Sequence, residues 1–292
     1  MAGPAGWNSA RPNRQAPARV RVITDSASDI LPSHAQAIGV LVIPNRIVLD
    51  GAVLRDGIDI TAAQYYAQLA RTRRPPSTRP PPVAEFQQAY LETLRHGAAI
   101  VSIHISSKLS QVVQHAAAAR DALAPAPIYV VDSLQLGIGM WPAVIEASRL
   151  AHQGAPVEEV HGRALAVLAR THAFVLVESL EPLRRSGRIG RMQEVLGTLV
   201  DAHPILTLNQ GEAQLVETVR GRKQAVRRLR QAALSLGEVQ TLLICGTSIE
   251  AIWEMESLLA EQYSGTIQRT WLGPTIGANL GSAIAVAAVV RE

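Results

Sequence analysis

One cysteine, two phenylalanines and four methionines in 292 residues leave the chain little soft or aromatic material. The lone Cys245 excludes an intramolecular disulfide framework and a cysteine-rich metal site. It lies in the apolar run T-L-L-I-C-G and reads as a small buried hydrophobe. A single thiol fits a cytoplasmic protein. Aromatic residues make up 4%, so core and pocket walls must be mainly aliphatic. No uninterrupted apolar run reaches the ~18 residues of a membrane-spanning helix; Ala283 to Val290 is apolar but too short. No G-x-x-x-x-G-K-[ST] or G-x-G-x-x-G occurs, so nothing supports nucleotide binding, and without G-x-S-x-G a serine-hydrolase elbow has no support. His104, His115, His152 and His161 show no metal-ligand spacing, and His104, on a strand pattern, reads as a satisfied core histidine.

What is present is ordinary for a globular protein: 48% hydrophobic and 18% charged. The length suits one large domain or two of moderate size. Residues 1–19, rich in Pro, Ala and Arg and without the apolar core of a secretion signal, read as a disordered leader. Arg11, Arg14 and Arg19 in that leader carry part of the +4 net charge. The remaining cations form no dominant block, so nucleic acid is not the implied partner.

Strand and helix patterns alternate from there. V-R-V-I-T-D (20–25) is a strand, 29–39 a capped helix closed by Gly39, and 40–44 and 46–51 are strands, the latter ending at a D-G turn. Thr61 caps a helix over 61–71. The prolines of R-R-P-P-S-T-R-P-P-P (73–82) forbid helix and central strand, so the segment is a flexible linker or a rigid loop, and the helix and strand that follow it directly fit a βαβ unit and favour a rigid loop at a sheet edge. A helix over 83–94, a strand through A-A-I-V-S-I-H-I (98–105), a helix over 111–123, a strand over 127–133 and helices near 139–153 and 156–171 complete a mainly parallel α/β/α region, 20–170. The pattern then shifts. Strand 173–179, helix 192–202, a hairpin over 204–217 turning at N-Q-G, a basic helix 222–236, strand 240–245, helix 248–262, strand 266–272 and a Gly-rich tail predict a mixed-sheet α/β domain over 171–292.

Five polar constellations stand out. Asp25, in T-D-S-A-S-D (24–29), sits where α/β folds place chemistry. It is either a phosphoryl-accepting nucleophile or an acceptor for loop amides, with Ser28 or Asp29 capping the helix. Ser77 and Thr78 are presented by prolines, or else occupy a solvated turn. Ser106, Ser107 and Ser110 end a strand at a helix N-terminus, a place for a carboxylate or phosphate; Ser110 also reads as a plain N-cap. L-R-R-S-G-R-I-G-R (183–191) gathers Arg184, Arg185, Ser186, Arg188 and Arg191, to grip an anion or partner or simply to be solvated. V-R-G-R-K-Q-A-V-R-R-L-R (219–230) places Lys223, Arg227 and Arg230 on one helix face, a solvated face or a docking surface for an acidic partner.

The order of motifs, V-I-T-D-S-A-S-D-I, V-I-P, R-D-G-I-D-I, S-T-R-P, I-S-S-K-L-S, V-V-D-S, L-E-P-L-R-R-S-G-R-I-G, P-I-L-T-L and V-R-G-R-K-Q-A, resembles the DegV family of bacterial fatty-acid-binding proteins from about residue 20 to the end. The resemblance implies two α/β domains with a long-chain fatty acid between them, the acyl chain in an aliphatic tunnel and the carboxylate on hydroxyls of the two Ser/Thr loops. It implies no catalysis, cofactor or metal of the chain's own, transient membrane contact, and presentation of the carboxylate to a separate ATP-dependent fatty acid kinase. Carried residue by residue, Ser77 and Thr78, then Ser107 and Ser110, stand in the carboxylate-binding loops. Arg185 and Arg188 match the R-R-x-G-R-I loop, and Arg220 and Arg222 the R-G-R element for docking or phosphate handling. There are departures. Gln111-Val112 replace the family's G-T after Ser110. Thr78-Arg79-Pro80-Pro81 replaces T-x-Q-P-S and puts Arg79 beside the head group. G-A-N-L-G-S-A (277–283) puts Asn279 where a histidine is common; asparagine donates a hydrogen bond but carries no charge, which Arg79 could supply. The competing readings are a phosphoryl-transfer or hydrolytic enzyme using Asp25 and the Arg184–Arg191 loop, and a basic protein binding nucleic acid through 219–230.

Overall fold

The computed structural model describes residues 19–96, 98–188 and 201–291. Its first part runs β1 (Val20–Asp25), α1 (Pro32–Ala37), β2 (Leu41–Ile43), β3 (Arg46–Leu49), β4 (Ala52–Arg55), α2 (Ala62–Leu69), β5 (Ser77–Arg79), α3 (Val83–Leu94), β6 (Ala99–His104), α4 (Val112–Asp121), β7 (Ile128–Asp132), α5 (Trp141–His152) and α6 (Val157–Leu168). Strands β2-β1-β6-β7 form a parallel sheet. All six residues of β6 are buried, as expected of a strand covered on both faces. The helix pair α3/α4 and the pair α5/α6 supply that cover. Phe86 and Tyr90 of α3 are fully enclosed; Phe86→Ala would cost about 3–5 kcal/mol.

Strands β4-β3-β5 make a small antiparallel sheet beside it. The D-G turn closes its hairpin, with Asp50 at φ 49° and Gly51 at φ 89°, the left-handed pair a two-residue turn needs. The Pro-framed segment is more than a loop: Ser77–Arg79 pair with β3 as an edge strand, where flanking prolines cost no ladder bonds.

The rest runs β8 (Thr171–Val177), α7 (Glu181–Arg185), β9 (Ala202–Asn209), β10 (Glu212–Arg220), α8 (Arg222–Leu234), β11 (Val239–Gly246), α9 (Ile249–Ala260), β12 (Ile267–Trp271), α10 (Pro274–Leu280) and β13 (Ala283–Val290). They form a mixed sheet of order β10-β9-β8-β13-β11-β12, parallel only between β11 and β12. Alternation along these strands divides two cores. Phe174, Leu176, Ile244, Ile284 and Val286 pack with α8 and α9. Ala173, Val175, Cys245, Ala283 and Ala285 face the parallel-sheet side with Ile138 and Met140. The chain is thus mixed α/β, with a parallel sheet and a mixed sheet. None of the described helices is long and apolar enough to cross a membrane.

Three local expectations change, and a fourth falls almost wholly outside the described residues. Asp29, at φ 58°, ends a 3-10 turn over Ser26–Ser28, so α1 starts only at Pro32, and neither Ser28 nor Asp29 caps it. Ser110 does not cap α4; Gln111 holds that position without a side-chain bond. The Gly-rich tail is a helix and a central strand, α10 and β13. The helix expected over 192–202 lies outside the described residues except at 201–202, and Ala202 opens β9.

Candidate functional site

A slender cavity opens where the three sheets meet. Its empty volume, mouth included, is about 810 Å³, of which only about 60 Å³ admits the centre of a water molecule. That narrowness suits a polymethylene chain. The walls are aliphatic and come from every part of the fold: Ile105 and Leu109 after β6, Val175 on β8, Leu206 on β9, Ala213 on β10 and Ile276 on α10. Among the described residues its charged lining side chains are Arg79 and Arg188, with no Asp or Glu.

The polar residues of the wall converge. Asn279 Nδ2 donates to Thr78 Oγ1 at 3.3 Å and to the Thr275 carbonyl at 2.9 Å. Both amide hydrogens of Asn279 are thereby used, and the Thr78 hydroxyl keeps its own proton to donate. Arg79 follows Thr78 on β5. His115 Nδ1 donates to the Pro81 carbonyl at 2.8 Å and ties this segment to α4. At the start of α4, Ser110 lines the same cavity, and no described residue bonds its hydroxyl. Arg188 is half-buried and anchors there too, Nε donating to the Leu109 carbonyl at 2.9 Å and Nη1 to the Ser186 carbonyl at 3.0 Å. Burial lowers its pKa, but a guanidinium keeps its charge. Five of the residues singled out from sequence therefore line one cavity: Thr78, Arg79, Ser110, Arg188 and Asn279.

Five others that the resemblance carries over do not. Ser77 is exposed at the start of β5. The Ser107 amide donates to Asp132 Oδ1 at 3.2 Å, outside the cavity wall. Arg185 is exposed on α7. Arg220 ends β10, exposed, and Arg222 opens α8 in ion pairs with Glu254 at 2.7 Å and Glu178 at 3.7 Å. Arg191 lies outside the described residues. The serine loop also offers fewer free amides than its position suggests. Lys108, Leu109 and Ser110 all donate to Ser106, whose own hydroxyl donates to the Gly211 carbonyl at 2.8 Å. Sequence reasoning missed Asn45, Thr275, Leu206 and Ala213 as wall residues.

Asp25 ends β1 with both oxygens fully engaged. Oδ1 accepts from the Ala27 amide and Asn45 Nδ2, each at 2.9 Å; Oδ2 accepts from His104 Nδ1 at 3.0 Å and the Ile105 amide at 3.2 Å. The chain of bonds continues from His104 Nε2 to Ser102 Oγ at 2.6 Å, which accepts from the Tyr90 hydroxyl at 2.9 Å. Burial pushes the Tyr90 phenol up to about 12. Asp25, His104 and Ser102 have the residue types of a hydrolase triad, but all are fully buried and none of the three lines the cavity. The arrangement is a satisfied core network. Two further carboxyls lie nearby. Burial raises Asp56 to about 6, opposed by hydrogen bonds from Thr275 and Ser26. Burial and then the Asp56 charge hold Asp29 well above the usual carboxylate range. Among the described residues no group of three or more His, Cys, Asp or Glu is arranged to hold a metal ion.

The family model described as "Uncharacterised protein, DegV family" matches residues 19–291. A DegV domain-containing protein of Caldanaerobacter subterraneus subsp. tengcongensis is 31% identical over 268 residues, 90% of this chain and 95% of that one. Another, from Streptomyces coelicolor, is 34% identical over 217 residues, 73% of this chain and 76% of its own. Among solved structures, a DegV family protein of Thermus thermophilus, described as fatty acid binding, superposes with a TM-score of 0.86 at 28% identity, covering 94% of this chain and 100% of that chain. DegV of Bacillus subtilis, described as a fatty acid binding protein, superposes at 0.82 with 25% identity, covering 94% and 99%. With a family model spanning nearly its whole length, the chain belongs to the DegV family.

Proposed function

We propose that this protein binds a long-chain fatty acid in the cavity between its sheets and presents the carboxylate to a partner kinase. The observation that carries the reading is the cavity's chemistry: aliphatic, narrow and, among the described residues, free of lining acids, with hydroxyls and two arginines gathered together. Fatty acid binding by the Thermus thermophilus and Bacillus subtilis relatives supports it. Thr78 and Ser110 donate to the carboxylate. Arg79 and Arg188 supply the positive field, and Asn279 orients Thr78 rather than touching the ligand with its amide hydrogens. Ser77 and Ser107 flank this wall. The tail supplies most of the affinity. A sixteen-carbon chain buries on the order of fourteen methylenes at ~0.8 kcal/mol each, about 11 kcal/mol before ordering costs. The hydroxyls and arginines set its direction.

In this reading the chain has no catalytic residues and needs no cofactor or metal. An ATP-dependent fatty acid kinase brings nucleotide and metal and makes the acyl phosphate. Arg185, Arg220 and Arg222, outside the cavity and exposed, form contacts with that kinase or with the new phosphate. The protein acts in the cytoplasm, touches membranes only to exchange its ligand, and has two units that divide near residue 170. Competition between a fluorescent polyene fatty acid and palmitate tests the binding step. Saturable one-to-one displacement is expected, and palmitate that fails to displace the probe would refute it. Asp25 has no free lone pair for phosphoryl transfer, so the hydrolytic reading has no structural observation in its favour.

A further inference from the structure

A second cavity lies behind the first and carries the opposite charge. The two share no lining residue. Consecutive residues part them: Ala27, Asn45 and Thr275 line the first, while Ser26, Pro44 and Pro274 line the second. The second is roomier, with about 430 Å³ open to the centre of a water molecule. Apolar side chains form most of its wall, among them Ile30, Val40, Val42 and Ile58. Ile58 is 59% exposed and Leu31 39%, so its rim opens to solvent. Among the described residues the charged ones lining it are Asp29 and Asp56, without Lys, Arg or His.

Both residues are 5% exposed, and neither forms an ion pair with a described residue. Buried carboxylates without a cation are costly, and proteins ordinarily pair or neutralise them. Asp56 Oδ2 accepts from the amide and hydroxyl of Thr275. Asp29 Oδ1 accepts from the Gly273 amide at 3.0 Å, while its Oδ2 has no partner. An apolar groove ending on unpaired buried carboxyls repels a fatty acid and matches the reverse amphiphile.

We propose that the second cavity binds an amphiphile with an ammonium head group, its nitrogen on Asp56 and Asp29 and its alkyl chain along Ile30, Val42 and Ile58. At neutral pH Asp56, raised to about 6, is mostly ionised and gives the ammonium its counter-charge, while burial and then the Asp56 charge hold Asp29 well above the usual carboxylate range.

The test is calorimetric titration of the intact protein with octylammonium, octanol and octanoate, before and after saturation with palmitate. Octylammonium is expected to bind one-to-one, at least tenfold tighter than octanol, and palmitate is expected to leave it in place. Asp56→Asn should weaken it at least tenfold. Ala62→Leu, which fills the cavity from the start of α2, should weaken it independently of charge. Absent saturable binding, octanol binding as tightly as octylammonium, competitive displacement by palmitate, or both variants binding like wild type would each overturn the proposal.

Discussion

Thr78→Val removes one oxygen from the cavity and leaves its shape nearly unchanged. Thr78 Oγ1 accepts from Asn279 Nδ2, so its proton is directed to whatever else fills the cavity. If that is a carboxylate, the lost bond is charge-assisted and contributes about 1.5–3 kcal/mol. The expected loss of palmitate affinity is therefore roughly 10- to 150-fold. The assay is displacement of a fluorescent polyene fatty acid by palmitate, run beside hexadecanol as a ligand without the charge. Hexadecanol should lose less than palmitate, and Thr78→Ser should stay within about threefold of wild type, because the hydroxyl is retained. Asn279→Ala should weaken palmitate less than Thr78→Val, because it frees Thr78 to rotate without removing the donor. Urea unfolding checks that the half-buried Thr78 site has not destabilised the fold. Palmitate affinity within twofold of wild type in Thr78→Val would refute the assignment of the head group to this corner.

Other outcomes follow from the same geometry. Arg79→Ala should lower palmitate affinity while sparing hexadecanol, and the loss should shrink as salt rises, since Arg79 is exposed; equilibrium competition at two ionic strengths reads both. Ala213→Leu narrows the tunnel at β10 and should weaken long chains more than short ones in a chain-length series. His104→Ala strips a donor from the buried Asp25 carboxylate and should cost about 3 kcal/mol in urea unfolding, with no new esterase or phosphatase activity gained or lost. The pH dependence of stability reports on Asp56. Its folded pKa of about 6 exceeds the ordinary value of 3.8, so the folded state holds the extra proton between those values, and this group's contribution is lost as pH rises through 6. Asp56→Asn should therefore gain stability over wild type above pH 6 by on the order of 1–3 kcal/mol, with the gain fading toward pH 4.

The elements with strong periodicity were legible from sequence. The β-branched runs of β1, β6, β7 and β8 and the amphipathic runs of α3, α5 and α6 sit within a few residues of where the pattern puts them. What escaped depended on tertiary context. β13 hides in A-I-A-V-A-A-V-V, which looks like a tail because half its residues are small. Yet Ala283, Ala285 and Ala287 alternate with Ile284 and Val286, the period-two signal of a strand with two different faces. β5 is three residues between prolines and exists only because β3 offers it an edge. α1 starts late because Asp29 adopts a left-handed conformation that brings its carboxyl to Gly273, some 240 positions away in the chain. At the cavity, hydroxyls and arginines could be named from motifs. Their division into Thr78, Ser110, Arg79 and Arg188 on the wall and Ser77, Ser107, Arg185, Arg220 and Arg222 off it depends on side-chain direction, which no motif encodes. Asn45 had no signal of its own. It follows Pro44 in a strand-to-strand turn and gains its place through Asp25 and Ser26. Asp29 read as a candidate helix cap and Asp56 only as part of R-D-G-I-D-I, and only burial marks them as more.

The central claim is that the positive, aliphatic cavity holds a fatty acid. Native mass spectrometry of the protein as purified, followed by lipid extraction and identification, tests it most directly. The account predicts one long-chain fatty acid per chain, lost on organic extraction and restored by added palmitate. A protein that arrives empty and also refuses palmitate and oleate would contradict it.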